Sequence, residues 1–215
     1  MMSESTTAKA RRPRGEQRRE EILDAAARVF AEHGYADGDT QALADALGVG
    51  KGTLYRYFPS KEALFLAAVD RLMRQLVEHV QGAATPVADP LQRVGVAVRA
   101  FLGFCADHPQ FVELLIQERA VFKDRKKPTF LEHREKNVER WRALYRGLIA
   151  DGRVRDMPVE RITNVVSDLL YGTIFTNYFA GRREPPEVQA DNVLDVLFRG
   201  ILSDDERRRQ PPSAA

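Results

Sequence analysis

The chain has 215 residues, of which 44% are hydrophobic and 30% are charged, and its formal net charge is only +2. This length suits one large or two small domains with a sizeable core, and the near-neutral charge means that any affinity for nucleic acid must come from local clustering of basic residues. The single Cys105 excludes an internal disulfide framework and a multi-cysteine zinc site, and no apolar run approaches the length of about 18 residues that a transmembrane helix needs.

The N-terminal segment is polar and basic. It is rich in Ser, Thr, Ala and Arg, so we expect a disordered basic arm over residues 1–14. Six basic residues, among them Arg14 and Arg18, lie between positions 9 and 19, and Glu16 is the only acid there. The segment is either a solubilising tail or an arm that neutralises DNA phosphates. It lacks the apolar region of a secretory signal, so we expect a cytoplasmic protein without a membrane partner.

Helical periodicity begins near Gln17. Apolar residues then recur at the spacing of one helix face: Ile22, Ala25, Ala26, Val29 and Phe30. Gly34 is placed to end this helix in the left-handed conformation, and Asp39 is placed to cap a second, short helix. Ser60 can cap a long fourth helix that reaches about Val80.

The stretch GVGKGTLYRYFPSKEALF, residues 48–65, has three glycines and several phosphate-binding side chains before its first acid, Glu62. A phosphate-binding loop needs G-x-x-x-x-G-K-[ST] after a strand, whereas Lys51 is followed by Gly52 and the preceding segment is predicted to be helical. The spacing of a dinucleotide-binding G-x-G-x-x-G motif is also absent. A helix-turn-helix explains the stretch, because Gly48 can form the tight turn before a third helix that begins at Lys51.

The outer side of this third helix carries candidate DNA contacts. Lys51 can donate to guanine acceptors, Gly52 lets the backbone approach a base edge, and the Thr53 methyl group can meet a thymine methyl group. The residues that can bond phosphates are Tyr55, Arg56 and Lys61. The alternative is that Tyr55 and Tyr57 are core aromatics and the basic residues are merely solvated, and for Tyr57 we prefer this alternative.

The stretches RREEILDAAARVFAEHGY and TQALADALGVGKGTLYRYFPSKEALF resemble the N-terminal DNA-binding domain of the TetR/AcrR family of bacterial transcriptional regulators. The resemblance covers about residues 18–68, roughly a quarter of the chain. Two departures from the family pattern matter. Gly50 stands where a Ser or Thr usually caps the recognition helix, and Gly38-Asp39 stands where hydroxyl residues are common, so Thr40 becomes the candidate for a phosphate contact. The matching positions include Ile22-Leu23, Phe30, Gly34-Tyr35, Leu43-Ala44, Gly48-Val49, Gly52-Thr53-Leu54-Tyr55, Tyr57-Phe58 and Ser60-Lys61-Glu62.

The resemblance implies an all-α fold of about nine helices. It implies an N-terminal three-helix DNA-binding domain with a helix-turn-helix, followed by a larger helical domain that binds a small molecule and dimerises. Periodicity places the remaining helices at about 90–106, 109–122, 128–151, 157–180 and 186–203, and it indicates no strand. The expected organisation is a disordered arm over 1–14, a DNA-binding domain over 15–62, a ligand-binding and dimerisation domain over 63–203 and a disordered tail over 204–215.

The last two predicted helices are apolar on more than one face. Such helices are buried on two sides, one of which can face a second subunit, and Gly172 and Thr173 would allow close helix approach. The alternative is a monomer in which both helices are internal. A two-fold dimer would place two recognition helices about 34–36 Å apart, or at a wider spacing, on a near-palindromic operator. The candidate dimer residues are Val166, Leu170, Ile174, Leu194, Leu197, Phe198 and Ile201.

The sequence predicts a ligand site less clearly, because each aromatic residue of the second domain can also belong to the core. The candidates are Phe101, Phe104, Phe111, Glu118, Trp141, Tyr145, Tyr171, Phe175, Asn177 and Tyr178. If Glu118 faces inward without a partner, its burial favours a cationic ligand. The simpler interpretation is an ion pair with a neighbouring arginine, for which the candidates are Arg119, Arg140 and Arg142. Cys105 is expected to be a buried, inert thiol.

The leading hypothesis is a ligand-responsive transcriptional repressor. It would bind a double-stranded operator as a homodimer and be released by an apolar or amphipathic small-molecule inducer. The alternative is a constitutive DNA-binding regulator or an activator without a sensor. We do not expect an enzyme, a cofactor or a metal, because the four histidines lie on different predicted elements and no H-E-x-x-H motif is present.

Overall fold

The computed structural model describes residues 14–200, with Arg14 described by its backbone alone. Over this range the chain folds into nine helices and no strand, which confirms the predicted all-α fold. Residues 1–13 of the arm predicted over 1–14, the tail predicted over 204–215 and the dimer candidate Ile201 lie outside the described residues. The helices are α1 (Arg14–Asp37), α2 (Thr40–Ala46), α3 (Lys51–Tyr57), α4 (Lys61–Ala84), α5 (Pro90–Asp107), α6 (Gln110–Val121), α7 (Thr129–Ala150), α8 (Val159–Ala180) and α9 (Pro186–Arg199).

The chain divides into two compact units between Ala68 and Val69. This division falls inside α4, which therefore contributes residues to both units. The boundary predicted between residues 62 and 63 lies in the first turn of the same helix. No helix within residues 14–200 has the length and apolar character needed to cross a membrane.

The core of the first unit is built on aromatic side chains from its two longest helices. The ring of Phe65 lies 5.2 Å from that of Phe30 and 5.3 Å from that of Tyr35, both in edge-to-face geometry. Leu43 of α2 and Leu54 of α3 are buried in the same unit. Edge-to-face pairs are a favoured arrangement of buried aromatic rings, so this cluster holds α1 against the start of α4.

The first helix breaks at Gly34, the residue at which the sequence predicted its end. Gly34 has φ 77° and ψ 164°, and the helix continues beyond it as far as Asp37. The positive φ is one that glycine adopts without steric cost, but the ψ value is not that of a left-handed helical residue. Gly34 therefore separates a long helical segment from a short one within α1, although its ψ is not the predicted left-handed value.

A tight turn joins α2 to α3, as predicted. Asp39 caps α2 by accepting a hydrogen bond from the backbone of Gln41 at 2.7 Å. Gly48 has φ 63°, which suits glycine. The turn is closed by the backbone bond from the Val49 N–H to the Ala44 carbonyl at 2.9 Å. Gly50 occupies the N-cap of α3 without a side-chain bond, so α3 begins with open backbone donors.

The second unit is a bundle in which α5 packs along α9 and α7 packs along α8. A buried cluster of Val94, Tyr145, Leu148 and Val159 joins α5, α7 and α8. Asp89 caps α5 by accepting from the Gln92 backbone at 2.8 Å, and a proline follows it at the first helical position. This packing leaves space between α4, α5, α7 and α8, where a cavity lies.

Candidate nucleic-acid interface and ligand cavity

The recognition helix predicted from the sequence, α3, has one buried side and one exposed side. Leu54 and Phe58 are buried in the core of the first unit, whereas Lys51, Gly52 and Arg56 are exposed. A Cβ atom at Gly52 would meet no atom within 4 Å. The start of α3 is therefore open to a close approach by another molecule, and its core side chains hold it in place.

Tyr55 and Thr40 form a hydrogen-bonded pair. Their side-chain oxygens are 3.2 Å apart, and Thr40 is 6% exposed whereas Tyr55 is 36% exposed. The structure therefore places Thr40 behind Tyr55, where it can orient the phenol, in place of the direct phosphate contact that the sequence suggested. Thr53, the predicted thymine contact, is half-buried on the same helix.

Two other predicted phosphate contacts are engaged within the first unit. Arg18 donates from Nη2 to the carbonyl of Leu47 at 2.6 Å, which ties α1 to the end of α2. Lys61 donates from Nζ to the carbonyl of Ala36 at 2.8 Å and lies 5.1 Å from the ring centre of Tyr35. Direct phosphate contacts by these two residues would compete with the bonds that they already make.

Lys51 and Arg56 differ from these two cations. Neither has an ion pair within the part of the chain that the structure describes, and Arg56 only lies 5.7 Å from the ring centre of Tyr57. Exposed cations of this kind can neutralise phosphates and release their counterions. Of Arg14, the remaining predicted contact, only the backbone at the start of α1 is described.

The second unit contains a cavity of about 190 Å³ between α4, α5, α7 and α8, which we call the apolar cavity. Four of the predicted ligand-binding residues line it: Phe101, Trp141, Tyr145 and Tyr171. The sequence analysis missed Met73, Val77 and Val80 of α4, which also line it. Their i, i+4, i+7 spacing is visible in the sequence, but an ordinary core helix shows the same stripe.

Six predicted ligand-binding residues lie away from this cavity: Phe104, Phe111, Glu118, Phe175, Asn177 and Tyr178. Phe104 and Phe111 are buried in the core with ring centres 5.9 Å apart. Asn177 donates to Gln189 of α9 at 2.6 Å, and the Tyr178 hydroxyl donates to a carboxylate of α6. These residues hold helices together.

Glu118 is buried and has partners that the sequence did not indicate. Its Oε1 accepts bonds from Arg125 and from the backbone and hydroxyl of Thr129, the latter two at 2.9 Å and 2.7 Å. The pairing predicted with Arg119, Arg140 or Arg142 is wrong, because the loop after α6 brings Arg125 back over the end of that helix. With its charge compensated in this way, Glu118 gives no support to a cationic ligand.

A polar wall of the apolar cavity joins α7 to α4. His133, which is 7% exposed, bonds through Nε2 to Oδ1 of Asp70 at 2.8 Å. This hydrogen bond holds the pKa of Asp70 below its ordinary value, against the opposing effect of burial. Asn137 donates to the His133 carbonyl at 2.8 Å and accepts from Gln81 at 3.2 Å. Two side-chain hydrogen bonds, His133 to Asp70 and Gln81 to Asn137, therefore link α7 to α4.

The two tyrosines of the apolar cavity remain neutral over an ordinary pH range. Burial raises the pKa of Tyr145 to about 12 and that of Tyr171 well above its usual value. The Tyr171 hydroxyl is buried and has no hydrogen-bond partner among the described residues. Burial also raises the pKa of the Cys105 thiol to about 12, which is the environment of an unreactive cysteine.

The predicted dimer residues fall in several environments. Val166 and Leu170 line the apolar cavity, whereas Ile174 and Leu194 are buried inside the second unit. Ile174 and Leu194 are corrected as interface residues, because their side chains are buried in their own bundle, whereas Val166 and Leu170 are half-buried and remain predictions. Leu197 is half-buried.

Apolar residues are also exposed on the last two helices, and the predicted dimer residue Phe198 is one of them. We call this set the α8–α9 face, and it consists of Val165, Leu169, Phe179, Val196 and Phe198. Gly172 is also exposed, and a Cβ atom there would meet nothing within 4 Å. These exposed apolar side chains are candidates for an interaction surface. Among the side chains that the structure describes, no cluster of three or more His, Cys, Asp or Glu could hold a metal ion.

Comparison with known proteins matches most of the first unit to a protein family. The family described as "Bacterial regulatory proteins, tetR family" matches residues 22–68. The HTH-type transcriptional activator FasR of Mycolicibacterium smegmatis is 38% identical over 107 residues, which are 50% of this chain and 48% of that protein. The chain thus aligns with about half of FasR. The HTH-type transcriptional repressor KstR of Mycobacterium tuberculosis is 27% identical over 88% of this chain and 83% of that protein.

Solved structures extend the likeness over both units. The TetR family transcriptional regulator PfmR from Thermus thermophilus is 28% identical, with a TM-score of 0.69 over 85% of this chain and 99% of that chain. The fatty acid degradation regulator FadR from Bacillus halodurans has a TM-score of 0.73 over the same shares at 18% identity. The second likeness concerns the fold alone.

Proposed function

The chain belongs to the TetR family of bacterial regulatory proteins, and we propose that it is a ligand-responsive transcriptional repressor. In this proposal a homodimer binds a near-palindromic operator in the bacterial cytoplasm, and a small-molecule inducer releases it. The observation that carries the proposal is α3, which exposes Lys51, Gly52 and Arg56 while Leu54 and Phe58 anchor it. The repressor KstR aligns along most of the chain, which supports repression.

The start of α3 supplies the base contacts in this proposal. Lys51 and the open backbone at Gly52 enter the major groove, where guanine and adenine present different acceptors. Tyr55, oriented by Thr40, and Arg56 bond phosphates on either side and set the register. In this arrangement the base contacts determine sequence preference, and the phosphate contacts contribute affinity for any DNA.

Dimerisation through the α8–α9 face supplies a second DNA-binding domain. The exposed Leu169 and Phe179 would be buried against their copies, and Gly172 would allow the two α8 helices to approach closely. A two-fold interface brings the same patch of both subunits together. The operator then has two half-sites related by the same symmetry.

Ligand response requires that the cavity affect the DNA-binding unit, and α4 is the element that can connect them. It begins at Lys61 in the first unit and lines the apolar cavity with Met73 and Val77 in the second. A ligand that fits better when α4 is displaced favours the DNA-incompetent state, and only this differential affinity releases DNA. A coupling of about 1–3 kcal/mol corresponds to roughly 5–150-fold weaker DNA binding.

Lys51→Ala is expected to relax sequence preference more than overall affinity. Loss of a base contact costs about 1–3 kcal/mol on the operator and much less on random DNA. The comparison variant is Tyr55→Phe, which removes the phenol oxygen and should weaken binding to both DNAs by a similar factor. Dissociation constants on operator and scrambled DNA measure both effects. Equal losses on the two DNAs for Lys51→Ala would refute the base contact.

The proposed function is tested by selecting bound DNA from a random library with the full-length protein. We expect enrichment of one sequence with two half-sites related by two-fold symmetry. Enrichment of a single unsymmetrical site would contradict dimeric binding, and no enrichment would contradict sequence-specific regulation. An activator is the second candidate, because FasR is named as one and is 38% identical over half of the chain. A reporter gene placed behind the selected site distinguishes the two by the sign of the response.

A further inference from the structure

A second cavity adjoins the apolar cavity. It has a volume of about 430 Å³ and lies between the end of α4, the start of α5 and the second half of α7. Gln81, Arg140 and Trp141 line both cavities. The two spaces are therefore neighbours with a common wall.

The two cavities differ in chemistry. The apolar cavity is lined mainly by aliphatic and aromatic side chains, and the polar groups His133 and Asn137 in its wall are already hydrogen-bonded. The second cavity is lined in part by Arg93, Arg140 and Asp151. A ligand that fills both must carry an apolar body and a polar or charged end.

Arg140 is the cation in these walls that remains available. Arg134 is held by Asn164 at 2.8 Å, and Arg93 donates twice to the Val87 carbonyl at 3.0 and 2.7 Å. Arg140 is exposed and has no acidic partner within the described residues; its guanidinium lies 5.9 Å from the ring centre of Trp141. A guanidinium in this state can bind a carboxylate or phosphate with two parallel hydrogen bonds.

The acid in the second cavity does not cancel this cation. Asp151 follows Arg140 by eleven residues at the end of α7, which is about 16 Å along a helix axis. That separation exceeds the screening length of about 8 Å at physiological ionic strength. An anion beside Arg140 is therefore drawn to the guanidinium more than it is repelled by Asp151.

We propose that the two cavities form one site for an anionic amphipathic molecule, with its apolar body in the apolar cavity and its carboxylate or phosphate head at Arg140. The inference rests on the proposed function in that it names the class of the inducer. Burial of an unpaired charge in the apolar cavity would be costly. The head group therefore stays at the shared wall, and the Tyr171 phenol is left for a neutral acceptor on the body.

The fluorescence of Trp141 reports ligand binding, because Trp141 is the only tryptophan of the chain and lines both cavities. Its fluorescence is followed while the full-length protein is titrated with decanoate, decyl phosphate or decan-1-ol. We expect at least one of the two anions to bind about ten-fold or more tightly than the alcohol, as a charge-assisted bond predicts. The anion that binds more tightly identifies the head group. Equal binding of all three probes, or binding of none, would overturn the proposal.

Two variants localise the charge effect on α7. Arg140→Gln should lose the preference for the anion and keep the affinity for decan-1-ol. Arg146→Gln is the control, because Arg146 is an exposed arginine of the same helix that is absent from both cavity walls and is already paired with Glu139. Retention of the anion preference in Arg140→Gln would contradict the assignment, as would its loss in Arg146→Gln.

Two separate measurements with the same probes distinguish failure of this inference from failure of the proposed function. Binding of a probe is read from Trp141 without DNA, and release of operator is read separately from the anisotropy of labelled DNA. Anion binding at Arg140 without DNA release would leave the site standing and contradict the sensor. DNA release by an uncharged ligand, with no anion preference at Arg140, would leave the sensor standing and contradict the site.

Discussion

Arg125→Met is expected to lower the free energy of unfolding by about 3 kcal/mol or more, because it strips a buried carboxylate of its counter-charge. Glu118 is 2% exposed, and Arg125 is its cationic partner. The backbone and hydroxyl of Thr129 would remain as donors to Glu118, but neither carries a charge. Urea denaturation at a fixed protein concentration measures the loss.

Two controls make this result specific. Arg119→Met removes an exposed arginine of α6 whose side chain only donates to the Lys123 carbonyl, and we expect a change within about 0.5 kcal/mol. Adding Glu118→Gln to Arg125→Met neutralises the buried charge and should restore part of the lost stability. A double variant that is no more stable than Arg125→Met would contradict the account of this ion pair.

Leu169→Glu is expected to convert the proposed dimer into a monomer and to weaken binding to the full operator by about 100-fold or more. In the proposed dimer, a charge at position 169 would be buried at the interface without a partner. Two linked DNA-binding domains bind an operator about 10²–10⁴-fold more tightly than one domain does. Analytical ultracentrifugation gives the mass, and anisotropy on operator DNA gives the affinity.

Leu131→Glu is the matched control for this substitution. Leu131 of α7 is 37% exposed and Leu169 is 36% exposed, so the two changes place the same charge at equally exposed leucines. We expect Leu131→Glu to remain dimeric with unchanged affinity. A dimeric Leu169→Glu that binds operator normally would show that the α8–α9 face is not the interface.

The helices were largely predictable because their signals are local. Asp39 before α2, Gly48 in the turn and Asp89-Pro90 before α5 act on their nearest neighbours in the chain, and the structure shows each in the expected role. The exception is Gly34, where the positive φ was predictable but the continuation of α1 was not. Helix resumption depends on packing beyond that residue.

The site was only partly predictable, because its residues depend on which apolar face of a helix meets which neighbour. Val166 and Leu170 were predicted only as dimer residues, and their place in the wall of the apolar cavity was missed, since the periodicity of α8 does not say which stripe faces inward. The partner of Glu118 depends on the path of the loop after α6, which brings in Arg125. Thr40 lies behind Tyr55 because α2 packs on α3, and no sequence spacing encodes which of their side chains meet.

The most direct test of the central claim is the fluorescence anisotropy of labelled DNA from upstream of the protein's own gene, compared with scrambled DNA at two salt concentrations. The account predicts tighter binding to the upstream DNA and a loss of affinity for both DNAs as salt rises, because phosphate contacts release counterions. Lys51→Ala should reduce the difference between the two DNAs. Absence of binding to either DNA at low salt would contradict the assignment of α3 as a DNA-reading helix.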